Sequence, residues 1–313
     1  MKPTPTSPTR IHSRRSAFTL IEILAAVTLM SLIVLGLLSM FNQTQRAFRG
    51  SMAQVDVLES GRLATDMLAR ELEQMTPSEY PGVNGIRVTN FFAFVPQLGN
   101  PLYCAPMLQG LPGTTLLRAN ILQGFFFLTR VNQDWIGTGY QVLPQFANLG
   151  IGTLYRFSAT NRSAPFLLSS NFQSAIQNAV LTGSPTNLSR IADGVVHLRL
   201  SAFATNGYPI TYVSGFTNAF FSTNESVLNY YASVRNATTG PSSDSCYFWS
   251  NAVPAYVELE LGILEPQILE RWRSFPAGSA AQAQAQYFSN HVAQVHLFRQ
   301  HIPVRNVDIS AYQ

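Results

Sequence analysis

Hydrophobic and polar residues follow different patterns in successive parts of this chain of 313 residues. From Phe18 to Phe41 the chain is almost entirely apolar, and Glu22 is the one charged residue among these 24 positions. A helix rises about 1.5 Å per residue, so this run would extend about 36 Å and exceed a hydrocarbon core of about 30 Å. The pattern predicts a membrane-spanning helix over residues 18–41.

The helical period continues beyond residue 41. Arg62 and Asp66 are four residues apart, which predicts an ion pair on an exposed helix face. Thr76-Pro77 is expected to end the element, because proline has no amide hydrogen and restricts the residue before it. Residues 42–76 are therefore predicted to be an amphipathic continuation of the helix. Its apolar positions recur at steps of three or four and are Phe48, Met52, Val55, Ala64, Leu68, Leu72 and Met75.

After Pro77 the period changes from helical to alternating. Apolar and polar residues alternate from Val196 to Ala202 and from Val257 to Ile263, which predicts half-buried antiparallel strands. Further strands are predicted at residues 91–95, 124–131, 154–158 and 292–298. The fold class is therefore α+β, with a long N-terminal helix packed on an antiparallel β-sheet head domain at residues 77–313.

Three features between the strands have their own predictions. Residues 160–189 and 205–245 are rich in Asn, Ser, Thr and Gly and are interpreted as surface loops. Gly137-Thr138-Gly139 is interpreted as a turn. Residues 266–275 are predicted to form a short helix with Ile268, Leu269 and Trp272 on its apolar side.

Basic residues precede the apolar run and indicate its orientation. This segment contains no acidic residue and four basic ones, Lys2, Arg10, Arg14 and Arg15. Because basic residues favour the cytoplasmic side, the N-terminus is expected in the cytoplasm and everything after Phe41 outside it. A secretory signal peptide ends at a small residue after its apolar core. Here the small residue Ala17 comes before the run. Cleavage at that point would remove residues 1–17 as a basic leader and retain the helix.

The net charge of +4 disappears with that leader. The chain has 20 basic and 16 acidic residues, and four of the basic residues, including the only lysine, lie before Ala17. The remaining chain is neutral, so charge gives no reason to expect nucleic-acid binding. Charged residues make up 12% of the chain against about 25% in ordinary globular proteins. This composition favours an exported, β-rich domain.

Glu22 has two interpretations. A carboxylate at the centre of a membrane helix costs about 2.5 to 3.5 kcal/mol on insertion scales, and the cost is lower near the end of the span, where Glu22 lies. It is either a residue at the headgroup boundary, or it pairs with the amine that cleavage creates at Phe18 of a neighbouring subunit. Such a pair would fix the axial register of packed helices.

Residues 14–22, Arg-Arg-Ser-Ala-Phe-Thr-Leu-Ile-Glu, resemble the start of type IV prepilins and of the pseudopilins of type II secretion systems. The resemblance implies that a prepilin peptidase cuts between Ala17 and Phe18 after the leader charges Arg14 and Arg15. It also implies N-methylation of Phe18 and a role for Glu22 as the assembly carboxylate. Ala17 stands where the family nearly always has glycine.

The later strands extend the resemblance to a subgroup. Residues 193–200 and 253–259, followed by a strand near the end, look like the minor pseudopilin J group and the W-type minor pilins. The K group typically lacks the carboxylate found at Glu22. This resemblance implies an inner-membrane protein with one span and a periplasmic head. Its partners would be other pseudopilins or minor pilins, the prepilin peptidase and the inner-membrane assembly platform.

The chemistry of the head gives no sign of catalysis. His197, His291, His296 and His301 do not form a His-Glu-x-x-His arrangement, and no phosphate-binding loop or nucleophile elbow occurs. No metal or other cofactor is expected, because Asp134, Asp193 and Asp244 are isolated in sequence and lack the spacing of a calcium loop. Cys104 and Cys246 either form a disulfide or remain two separate buried thiols.

Two functions therefore remain open, with a third of another class. The first is a minor pseudopilin that helps to initiate or cap a type II secretion pseudopilus for protein export. The second is a minor type IV pilin in an extracellular filament for adhesion, motility or DNA uptake. A membrane-tethered enzyme is the alternative of a different class, and we expect the chain not to be an enzyme.

Overall fold

The computed structural model describes most of the helix and the head. The described residues are 19–78, 88–94, 107–110, 117–144, 150–207, 209–210, 230–234, 244–275, 283, 286–287, 290–291 and 294–309. The chain divides into two compact units, Met1–Met52 and Ala53–Gln313. An apolar helix followed by an antiparallel sheet confirms the predicted α+β class.

A single helix, α1, runs from Leu20 to Glu73 over 54 residues. It contains no proline, and its first part consists mainly of leucine, isoleucine, alanine and methionine, most of which have high helix propensity. The helix ends three residues before the predicted Thr76, and the chain then turns so that Met75 pairs with Thr129 of the sheet.

In the first unit, the described side chains before residue 50 are exposed. The predicted apolar face of the continuation is only partly buried. Phe48, Met52 and Val55 are more than half exposed, whereas Ala64, Leu68, Leu72 and Met75 are buried as predicted. The packed part of the helix therefore starts near Val57, inside the second unit.

The second unit is built on one large antiparallel sheet. Its nine strands lie in the order β11-β10-β7-β6-β5-β4-β1-β9-β8, and β2 and β3 form a separate pair. Each of the six predicted strands overlaps an observed strand. β4 has the predicted bounds, whereas the strand predicted at 292–298 overlaps β11 at residues 295–298, and residues 292–293 lie outside the described residues. The strands are β1 Thr89–Phe94, β2 Met107–Gly110, β3 Leu117–Asn120, β4 Gly124–Val131, β5 Asp134–Pro144, β6 Gly152–Asn161, β7 Ser189–Phe203, β8 Tyr230–Val234, β9 Asp244–Trp249, β10 Tyr256–Leu264 and β11 Val295–Pro303.

The pairing between β6 and β7 is short, and this exposes part of β6. The two strands pair from Gly152 opposite Val195 to Arg156 opposite Ser189. Beyond Arg156, β6 continues to Asn161 with β5 as its neighbour on one side. The later part of β7 is instead joined by residues 121–123, which exchange backbone hydrogen bonds of 2.7 and 2.8 Å with Leu198.

Two apolar clusters lie on opposite faces of this sheet. Residues of α1 from Val57 to Leu72, with Met75 just after the helix, pack on one face against alternate residues of β1, β4, β7 and β10. A second helix, α2 (Phe166–Thr182), covers β4, β5 and β6 on the other face. A third helix, α3 (Pro266–Arg273), buries Leu269 and Trp272 in a smaller cluster, as predicted.

Helix α2 shows that the loop interpretation of residues 160–189 was wrong. Leu168, Phe172, Ala175, Ile176 and Ala179 recur at helical spacing and are buried against the sheet. The Asn, Ser and Gln residues between them form the solvent face, so a polar composition concealed an amphipathic helix. Gly183, with φ of 65°, ends α2 in the left-handed conformation that glycine adopts without strain.

The turn interpretation of Gly137-Thr138-Gly139 was also wrong, because all three residues lie inside β5. Their glycines permit close packing of α2. A Cβ at Gly139 would lie 2.4 Å from the ring of Phe172, and one at Gly137 would lie 2.8 Å from Leu168 Cβ. The absence of side chains at these glycines thus leaves the space that α2 needs to approach the sheet.

Gly139→Ala is expected to destabilise the head by about 1–3 kcal/mol, because overpacking displaces a ring that has no free space. Phe172 is 1% exposed and contacts the rings of Phe92, Phe126 and Phe157. Urea unfolding of the full chain in detergent measures the change. Gly50→Ala is the control, since nothing lies within 4 Å of its new methyl group, and equal destabilisation of both variants would contradict the packing argument.

Candidate functional site

The start of α1 is closed by a reciprocal pair of side chains. Thr19 donates from its backbone N–H and its hydroxyl to Glu22 Oε2 at 2.9 and 2.8 Å, and Glu22 N–H lies 3.4 Å from the Thr19 hydroxyl. This is a capping box, in which residues three apart satisfy amide groups that the first helical turn leaves unpaired. The cap fixes where the apolar helix begins.

The cap leaves part of the carboxylate available. Within the described part of the chain, the hydrogen bonds to Glu22 all end on Oε2, and the side chain is exposed. A carboxylate has about four acceptor positions, so Oε1 keeps the capacity to accept from a cation. Glu22 is therefore held in a defined rotamer while one oxygen remains open to a partner.

The helix behind this carboxylate has a surface suited to a membrane or to other apolar helices. Leu20, Leu32 and Leu35 are exposed by 81%, 73% and 68%, and the most apolar part of the helix has no buried residue. By length and composition, α1 is able to cross a membrane. One anchor of this kind is consistent with the predicted span over residues 18–41.

The remaining predicted site residues divide into two groups. Arg14, Arg15, Ala17 and Phe18 lie outside the described residues, as does Cys104. Cys246 is buried in β9, opposite Ala93 of β1 and Ala232 of β8. The cleavage site, the methylated amine and the two alternatives for Cys104 and Cys246, a disulfide or two separate buried thiols, therefore stay predictions.

A polar triad fastens the end of α1 to the sheet. The Tyr140 hydroxyl donates to Glu71 Oε2 at 2.5 Å, and Arg156 donates from Nε to both carboxylate oxygens at 3.1 and 3.2 Å. The Arg156 terminal nitrogen lies 2.9 Å from Glu71 Oε1. Tyr140 is on β5 and Arg156 on β6, so one helical carboxylate joins two strands. The exposed Arg62–Asp66 pair is 3.9 Å apart and contributes little.

The triad changes the ionisation of its members. Burial, followed by the hydrogen bond to Glu71 and its negative charge, raises the pKa of Tyr140 far above its usual range. Burial acts to lower the pKa of Arg156, but the hydrogen bonds and charge of Glu71 outweigh it and raise that pKa overall. Tyr140 is thus a neutral donor and Arg156 a cation under ordinary conditions.

Tyr140→Phe is expected to lower the free energy of unfolding by about 1.5–3 kcal/mol, the usual contribution of a hydrogen bond to a charged group. The raised pKa of Tyr140 means that its stabilisation is complete below about pH 10 and falls as pH rises above that value. The urea midpoint of the variant should therefore lie below that of the wild type at neutral pH, and the two midpoints should approach each other as the pH rises above about 10.

The control for this prediction is Tyr256→Phe, whose hydroxyl donates to the carbonyl of Gly207 at an exposed site. Its unfolding free energy is expected to change by less than about 1 kcal/mol. A loss of stability in Tyr140→Phe that stays constant at high pH would contradict the assigned role of the phenol.

A charged ladder occupies the sheet face that α1 does not cover. His197 Nδ1 accepts from Ile121 N–H at 3.1 Å, so Nε2 carries the hydrogen that it donates to Glu260 at 3.1 Å. That hydrogen bond, against the opposing effect of burial, lowers the pKa of Glu260. Arg299 of β11 contacts both Glu258 and Glu260.

This ladder has the character of a structural network. Its charged members satisfy one another across β7, β10 and β11, and His301 adds a contact to Glu258 at 3.6 Å. Within the described ranges, no three His, Cys, Asp or Glu side chains form a group able to hold a metal ion. The histidines have partners already, since His296 Nε2 also lies 3.1 Å from Glu265.

Sequence reasoning missed Thr19 and the Glu71 triad, for different reasons. Thr19 and Glu22 have the Thr-x-x-Glu spacing of a capping box before an apolar run. The sequence therefore contains the signal, but the same residues also belong to the prepilin pattern, which was used to interpret them. Glu71, Tyr140 and Arg156 are 69 to 85 residues apart. No local pattern in the sequence indicates that they meet.

Comparison with known proteins adds one finding about the N-terminus. No curated protein and no solved structure matches the chain. Residues 12–38 match the family model of the prokaryotic N-terminal methylation motif. The chain therefore carries a type IV prepilin-like N-terminus, which implies processing by a prepilin peptidase and points to a structural subunit that assembles with other pilin-type subunits.

Proposed function

We propose that this protein is a minor pseudopilin, a structural subunit that helps to initiate or cap a type II secretion pseudopilus for protein export. The observation that carries the proposal is Glu22, held by Thr19 at the start of an exposed apolar helix and inside the matched methylation motif. A subunit of this kind needs an apolar helix for lateral packing and one polar group for register.

Glu22 would act after the leader is removed. Cleavage between Ala17 and Phe18 leaves a positive amine one residue before the capping box, and the open Oε1 of a neighbouring subunit accepts from it. Two opposite charges in an apolar bundle attract strongly, and either of them alone is costly there. The pair would therefore favour helices in a single axial register.

The head would supply the specific contacts of a minor subunit. Its α1 segment is fastened by the apolar cluster and by the Glu71 triad, so forces on the helix reach a folded sheet. The resemblance to the J group depends on the segments that form β7 and β10 and on a late strand. In the sheet, β7, β10 and the late strand β11 are neighbours. The protein would sit in the inner membrane with its head in the periplasm.

A minor type IV pilin is the second candidate, and the same motif favours it equally. Gene neighbourhood separates the two functions: genes for secretion-type pseudopilins favour the first, and a retraction ATPase gene favours the second. Against the enzyme alternative stands the methylation motif, which points to a structural protein.

Processing provides the direct test. Mass spectrometry of the membrane-bound protein is expected to find N-methyl-Phe18 as the first residue, because the peptidase cuts after the small residue that precedes the apolar run. Ala17→Gly should keep or increase the processed fraction, and Ala17→Arg should leave the precursor uncut. An intact leader in the wild type, or cleavage at another bond, would refute the processing step.

A further inference from the structure

A groove lies between β6 and α2. It has a volume of about 470 Å³, within the usual range of ligand sites. Residues 157–159 of β6 form one wall, α2 forms the other, and Asn187 also lines the groove. The α2 wall carries Asn171, Ser174, Ala175 and Asn178.

The β6 wall is a strand edge that no described strand pairs with. β6 pairs with β5 along its whole length, from Gly152 to Asn161. On the other side, pairing with β7 stops at Arg156. On the side away from β5, residues 157–161 therefore have no described partner strand, and residues 157–159 of this stretch line the groove. A free edge of this kind is a template for another extended segment.

The side chains around this edge set the chemistry of the occupant. None of the eight lining residues is charged, and the whole stretch from Ser163 to Ser189 contains no charged residue. A charged ligand would lose hydration there without gaining a counter-ion. Phe157, Ala159 and Ala175 lie in or against the α2 cluster and give the groove an apolar floor.

The amides and the hydroxyl on the walls suit a peptide backbone. The side chains of Asn171, Ser174, Asn178 and Asn187 make no hydrogen bonds to other described residues. Each is able to donate and to accept, as a backbone requires. A neutral glycan would also use amides, but it has no use for a row of strand-spaced N–H and C=O groups.

We propose that this groove binds an extended, uncharged segment of a partner polypeptide, which adds as a strand to residues 157–161 of β6. Small side chains of the segment face Ala159 and Ala175, while the asparagines of α2 hydrogen-bond to its outer edge. The site belongs to the head alone and does not depend on the filament role of the N-terminal helix.

Hydrogen exchange on the full chain in detergent tests the proposal. The probe is an equimolar pool of end-capped peptides of about eight residues, a common strand length, built from alanine, valine, serine, threonine and asparagine. We expect the pool to slow amide exchange at residues 157–161. Matched pools that contain lysine or glutamate at every second position should protect these amides much less.

Two variants place the binding in the groove. Ser174→Trp fills the α2 wall and is expected to weaken peptide binding at least about tenfold, equivalent to about 1.4 kcal/mol. Ser170→Trp adds the same ring one turn earlier, at an exposed position outside the lining, and should bind as the wild type does. Equal behaviour of the two variants would overturn the site.

Backbone pairing is checked with modified peptides. Two N-methylated pools, one for each set of alternating amides, remove the donors of one peptide edge at a time. At least one of them should fail to protect residues 157–161. The proposal is overturned if both pools protect as the parent does, if the parent pool gives no protection, or if a neutral oligosaccharide protects where the peptides do not.

Discussion

Glu22→Ala is expected to reduce incorporation of this subunit into its filament complex by at least about a hundredfold. Removing one partner of a buried ion pair costs about 3–5 kcal/mol, because the other charge is left without compensation in an apolar bundle, and about 2.8 kcal/mol corresponds to a hundredfold. Insertion into the membrane and cleavage after Ala17 should continue. Co-purification of the full chain with the other pilin-type subunits measures the effect.

Two further variants separate the charge of Glu22 from its role in the cap. Glu22→Gln keeps an oxygen that accepts from Thr19 but removes the charge, so it should lose assembly nearly as Glu22→Ala does. Thr19→Ala removes the hydroxyl partner and keeps the charge. It should weaken the helix start by about 1 kcal/mol and assemble to a much greater extent.

Glu59 provides a matched position for the same substitution. It lies on α1, exposed and beyond the apolar run, so Glu59→Ala should assemble as the wild type does. If Glu59→Ala and Glu22→Ala lose assembly equally, the effect belongs to the helix in general. If neither loses assembly, the pairing role of Glu22 is wrong.

The sequence predicted those elements whose burial is one-sided and regular. β7 and β10 alternate because α1 covers one of their faces while the ladder of Glu258, Glu260 and Arg299 occupies the other. The buried half of α1 was found for the same reason, since Leu68 and Leu72 repeat at helical spacing. Where one face is apolar and the other polar, the period is visible in a single sequence.

The missed elements lie where that simple pattern fails. β5 is covered on both faces, and Gly137 and Gly139 are needed there by the approach of α2. Glycine pairs are also typical of turns, so the local pattern indicated the wrong element. α2 has no charged residue, and its polar residues resemble those of a loop. Both elements depend on contacts between residues that are distant in sequence, and a local sequence pattern carries no information about such contacts.

The candidate site was predictable in part, because its signal is local. Residues 14–22 carry the prepilin pattern within nine positions, and residues 12–38 match the methylation motif. The polar contact between α1 and the sheet of the head has no such local signal. Glu71, Tyr140 and Arg156 come from a helix and two strands, and only the fold brings them together.

The packing of α1 on the head leads to the second large prediction: Leu72→Ala should lower the free energy of unfolding of the head by about 3–5 kcal/mol. Leu72 is fully buried in the cluster between α1 and the sheet, and truncation of such a leucine removes its transfer free energy and leaves a cavity. All three tryptophans, Trp135, Trp249 and Trp272, lie beyond Pro77, so their fluorescence in urea reports unfolding of the head in the full chain.

Leu63→Ala makes the same change on the opposite side of the same helix, where the side chain is 63% exposed. Its free energy of unfolding should stay within about 0.5 kcal/mol of the wild-type value. Because Leu72 is far from Glu22 in sequence, Leu72→Ala should also leave cleavage and methylation at Phe18 unchanged while it loosens the head. Similar midpoints for the two leucine variants would show that the α1 segment from Val57 to Glu73 does not contribute to the core, and would remove the basis for a head fastened to its helix.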